Sequence, residues 1–105
     1  WDGKRILPEG FVKLMSTVAP ASKGAYGQGQ VWRWGPGGES PQEKKGDADF
    51  GLPADTFWML GHDGQSVAIV PSRKLVVVRL GLTPSRLHYK PQAMLAEVIK
   101  ALGRP

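Results

Sequence analysis

Two histidines, six serines and nine carboxylates hold most of the chemistry open to this 105-residue chain. A serine hydrolase needs a hydroxyl beside a base, with a third group orienting that base. A triad here would have to bring His62 or His88 beside a serine and a carboxylate. With no cysteine in the chain, a thiol nucleophile, a disulfide scaffold and a Cys-ligated zinc are excluded. Asp47, Asp49, Asp55 and Asp63 do not follow calcium-loop spacing. His62 with Asp63 leaves too few ligands for a metal, so no metal and no cofactor are expected. Trp32, Trp34 and Trp58, with Arg33 among them, could stack on bases or sugars; aromatics flanked by glycine more commonly line a core or a cleft. Gly27-x-Gly29 lacks the third glycine of a dinucleotide fingerprint, because position 32 is Trp.

These residues need a scaffold, and the composition limits what it can be. Forty-one per cent apolar residues with four Trp is too rich for a disordered chain. No apolar run approaches the ~18–20 residues of a membrane span, so no membrane partner is expected. The net charge of +5 is uneven: residues 1–34 balance at +3, residues 35–72 at −4 and residues 73–105 at +6. A basic last third could steer toward nucleic acid. Its cations never run longer than two, which favours solvated helix and turn positions, and no nucleic-acid partner is expected. The chain opens on Trp1, which suggests a fragment or a processed product.

Pro8-Glu9 followed by Phe11, Val12, Leu14, Met15 and Val18 has one-sided helical spacing, ended by Pro20. Tyr26 to Trp34 reads as extended, Gly35-Pro36-Gly37-Gly38 as a break, and Glu39 to Asp49 as a loop. Three strands then form a meander. Thr56–Leu60 leads to Asp63-Gly64, a two-residue hairpin signal in which both positions tolerate positive φ. Ser66–Val70 returns, Pro71–Lys74 turns, and Leu75–Leu80 completes the set. The last two strands are apolar at nearly every residue, as expected for burial on both faces. Pro91 opens a helix with a Met94, Leu95, Val98, Ile99 and Leu102 stripe, and Gly103 stops it. The fold class is therefore α+β: an antiparallel three-stranded meander with N- and C-terminal helices packed on one face. Two short helices cannot cover both faces, so a layer is missing.

Thr56-Phe57-Trp58-Met59-Leu60-Gly61-His62-Asp63-Gly64-Gln65, with Val67-Ala68-Ile69-Val70-Pro71-Ser72 and Leu75-Val76-Val77-Val78-Arg79-Leu80-Gly81, resembles the C-terminal part of the serine β-lactamase-like superfamily. The nearest branch is the class C β-lactamase-related one, which includes esterases, penicillin-binding-protein-like proteins and amide hydrolases acting on small oligomers. Trp1-Asp2-Gly3-Lys4-Arg5-Ile6-Leu7-Pro8-Glu9-Gly10-Phe11-Val12 resembles the lead into a late helix of that family. Tyr26-Gly27-Gln28-Gly29-Gln30-Val31-Trp32 resembles its Tyr-Gly-x-Gly block. The resemblance spans nearly the whole chain in order, which implies that residues 1–105 are a single partial domain of a β-lactamase-like α/β sandwich, its helical layer and N-terminal strands absent.

Family members use a Ser-x-x-Lys pair, a second Tyr or Ser motif, and a Lys-Thr-Gly-type triplet on the strand bordering the cleft. The resemblance places His62-Asp63-Gly64 at that triplet, with His62 where many relatives have Lys. Asp63 and Gly64 would then face substrate, Gly64 because a side chain there obstructs it. The backbone N–H of Gln65 would be an oxyanion donor, a role worth about 3–4 kcal/mol of transition-state stabilisation. A lysine is a permanent cation that suits carboxylate-bearing substrates, whereas a histidine changes charge near neutrality. The substitution therefore points to a small-molecule ester or amide as the parent's substrate. None of Ser16, Ser22, Ser40, Ser66, Ser72 and Ser85 has Lys three residues on. The chain alone is expected to be inactive. Its expected partner is the missing N-terminal part of the same protein, with self-association of the isolated piece. Relatives are often exported to the periplasm, but the sequence assigns no compartment. The competing reading is an autonomous basic, Trp-containing module for nucleic acid or another anionic partner.

Overall fold

The computed structural model describes residues 2–22, 31–32 and 47–103. Its centre is an antiparallel sheet of β1 (Phe57–Leu60), β2 (Ser66–Val70) and β3 (Leu75–Arg79), in the order β1-β2-β3. This is the expected α+β meander. Phe57 pairs with Ile69 and Leu60 with Ser66; Ser66 also pairs with Arg79, and Val70 with Leu75. The turn Pro71–Arg73 is closed by Lys74, which takes a left-handed conformation (φ 50°). Asp55 staples it by accepting the Ser72 N–H at 2.6 Å and the Ser72 hydroxyl at 2.8 Å.

Side chains alternate across a strand and paired residues share a face. One face therefore presents Trp58, Ala68, Val70, Leu75 and Val77. Helix α2 (Pro91–Leu102) covers it, burying Leu95 with Trp58, Ala68, Val70 and Leu52, while Ile99 and Ala96 pack at the margin. Pro91 sits at its first turn, and Gly103 caps it at φ 72°. Leu102, expected in the stripe, lies 64% exposed. A 3-10 turn, Asp47–Phe50, packs against α2. It anchors the core through Asp47, which accepts the indole N–H of buried Trp58 at 2.8 Å. Of the expected extended segment 26–34, only 31–32 are described: Trp32 bridges Trp58 with two 2.8 Å backbone hydrogen bonds. The Gly35–Gly38 break and most of the loop from Glu39 lie outside the described residues.

The opposite face carries Phe57, Met59, Val67, Ile69, Val76 and Val78. Here Phe57 is buried and Val67 and Ile69 are half-buried, and the expectation of burial on both faces fails at β3. Met59, Val76 and Val78 are 46%, 59% and 58% exposed. The N-terminal helix does not supply cover. It is α1 (Phe11–Met15), five residues with none buried, shorter than the spacing from Pro8 to Val18 suggests. Two causes act together. Short helices need tertiary packing, and the Ser16 hydroxyl donates back to the Val12 carbonyl (2.8 Å) as Thr17 does to Lys13, a competition that weakens helices.

Candidate functional site

The residues singled out by type meet at the β1–β2 hairpin. Asp63 (φ 53°, ψ 49°) and Gly64 (φ 79°) are both left-handed, the signature of a type I′ turn. The N–H of Gln65 donates to the His62 carbonyl at 3.4 Å, and the N–H of Gly61 donates to Gln65 at 2.8 Å. Asp63 and Gly64 take the positive φ values that the Asp-Gly signal requires, but the loop is longer than the two residues expected: Leu60 pairs with Ser66 and Gly61 bonds Gln65, so His62 belongs to the loop as well. The same geometry corrects one feature of the triplet: His62-Asp63-Gly64 forms the turn itself and does not run along the strand. Two consecutive positive φ values cannot be extended backbone.

The His62 side chain is 85% exposed, with Nε2 3.1 Å from Asp63 Oδ2. The Gln65 side-chain amide donates to the His62 carbonyl at 3.2 Å, so that carbonyl has two donors. The Gln65 N–H is thus engaged, and an oxyanion must displace the His62 carbonyl to receive it. Gly64 does need to be glycine, and the cause lies within the chain. A Cβ there would sit 3.1 Å from the Thr83 carbonyl oxygen and 3.3 Å from Tyr89 Cδ1.

His62, Asp63, Gly64 and Gln65 line a cleft of about 460 Å³ with Leu60, Thr83, Tyr89 and Pro91. Two larger hollows, about 880 and 560 Å³, are folds of the N-terminal segment, and neither is lined by a histidine, a serine or a carboxylate. The cleft at the hairpin is therefore the candidate site. Thr83, Tyr89 and Arg79 were not legible as site residues, since no spacing rule joins them to the hairpin.

Other combinations are not assembled. Among the described side chains neither histidine hydrogen-bonds a serine: Ser72 is held by Asp55, Ser16 by backbone, and the buried Ser66 hydroxyl makes no hydrogen bond. No group of three potential metal ligands forms among the described residues. Trp58 is fully buried, which removes it from any base-stacking surface, and Trp34 lies outside the described residues. No described helix is long and apolar enough to cross a membrane. Comparisons with protein families, with curated proteins and with solved structures find no match for this chain.

Proposed function

We propose that this chain is the C-terminal portion of a β-lactamase-like serine hydrolase that cleaves small esters or amides through an acyl-enzyme. The observation that carries the reading is the apolar, partly open sheet face. All six positions of this face, Phe57, Met59, Val67, Ile69, Val76 and Val78, are apolar, and Met59, Val76 and Val78 are exposed. A solvated antiparallel face carries polar residues, so this one is built to be covered. In the proposed parent a helical layer N-terminal to Trp1 covers it and brings a Ser-x-x-Lys pair toward the hairpin cleft.

The reaction then follows from the groups at hand. The serine oxygen attacks the carbonyl carbon while the lysine takes its proton. The oxyanion is met by the nucleophile's own N–H and that of Gln65, which leaves the His62 carbonyl. The alcohol or amine departs with a proton, and water later cleaves the acyl-enzyme. His62 and Asp63, at the cleft mouth, contact the substrate.

Complementation tests this. The 105-residue chain alone should not hydrolyse p-nitrophenyl acetate. Co-expressed with the segment encoded upstream of Trp1, it should. Stable association of the two without hydrolysis would refute the proposal.

A further inference from the structure

The hairpin turn has closing bonds of its own, Gly61 N–H to the Gln65 carbonyl at 2.8 Å and Gln65 N–H to the His62 carbonyl at 3.4 Å. Its ties to the rest of the chain come from the segment that follows β3. Thr83 N–H donates to the Asp63 carbonyl at 2.8 Å. Arg79, at the end of β3 and opposite Ser66 in register, reaches both sides of that contact. Its Nη1 donates to the Gly64 carbonyl at 3.4 Å and the Gly81 carbonyl at 3.3 Å, and its Nη2 donates to the Thr83 hydroxyl. The guanidinium also lies over the Tyr89 ring, 4.5 Å from its centroid. The Tyr89 hydroxyl is turned to Met94 of α2, 3.4 Å from its sulfur.

We propose that Arg79 is a positioning residue for the candidate site: it clamps the His62-Asp63-Gly64 turn to the 81–89 segment and so sets where His62 and the Gln65 N–H point. The chemistry requires arginine. A planar fork delivers hydrogens to several carbonyls at once while its face stacks on an aromatic ring. A lysine ammonium has three donors on a flexible stem and cannot hold both geometries. Gly64 completes the arrangement, because any side chain would push Thr83 and Tyr89 away. The clamp is independent of the hydrolase reading; only its kinetic consequence rests on it.

Amide hydrogen exchange on the 105-residue chain tests the clamp directly. In Arg79→Lys, exchange at Gln65 and Thr83 should speed by about tenfold or more while Ala68 and Val77 in the sheet keep their protection, the pattern of a local opening. Tyr89→Phe keeps the ring and should leave Gln65 and Thr83 unchanged; Tyr89→Leu should loosen them. Unchanged exchange in Arg79→Lys would overturn the proposal, and so would equal losses across the sheet, which mark a general structural role. In the protein extended upstream of Trp1, Arg79→Lys should lower kcat about tenfold with KM nearly unchanged. If the extended wild-type protein shows no hydrolysis, the hydrolase reading fails while the exchange result stands.

Discussion

Gly64 is confined from two directions, by a left-handed φ of 79° and by Thr83 and Tyr89 at 3.1 and 3.3 Å from where a Cβ would sit. Gly64→Ala should therefore cost about 1–2 kcal/mol from the backbone alone, read by urea denaturation. A change within about 0.5 kcal/mol, the range of unremarkable surface sites, would contradict the packing. Asp47 makes a parallel case in the core. Asp47→Ala leaves the buried Trp58 indole N–H without its acceptor, and the expected loss is about 1–3 kcal/mol. At this scale the sequence was readable where the requirement is local. Asp63-Gly64 announces its turn because positive φ is a property of the residues themselves. The Arg79, Thr83 and Tyr89 contacts with the turn are tertiary, made to Gly64 and Asp63 from beyond β2 or β3, and no residue type signals them. The need for glycine at 64 was legible, but its cause is Thr83 and Tyr89 within the same chain.

The elements differ in what supports them. α2 follows from Pro91, its apolar spacing and Gly103, and it buries Leu95 completely. α1 has the spacing but buries none of its residues, and it stops after five with Leu14 73% exposed. Periodicity reports that a face is apolar; it cannot report whether anything in the chain meets that face. The strands were legible for the opposite reason, since their turns at Asp63-Gly64 and Pro71–Lys74 are locally encoded. The contrast is measurable by paired truncation. Leu95→Ala should cost about 2–5 kcal/mol, as buried leucines do. Leu14→Ala should stay within about 0.5 kcal/mol in the isolated chain. Equal costs would show that α1 is packed after all.

At the scale of the molecule, the sheet is covered on one side by α2, while on the other Met59, Val76 and Val78 are exposed, and among the described residues β3 has no strand on its outer edge. An apolar face beside a free edge favours association. The 105-residue chain should form dimers or larger species in light scattering, and Val76→Lys with Val78→Lys should shift it to monomer. A clean monomer at high concentration would count against a missing layer. The same open face underlies the hydrolase proposal, in which the uncovered surface is the seat of the segment that carries the nucleophile. The most direct measurement is active-site labelling of the protein translated from the complete reading frame, using a fluorophosphonate and peptide mapping. The adduct should fall on the serine of a Ser-x-x-Lys sequence N-terminal to Trp1. No adduct, or one on Ser16, Ser22, Ser40, Ser66, Ser72 or Ser85, would contradict the account.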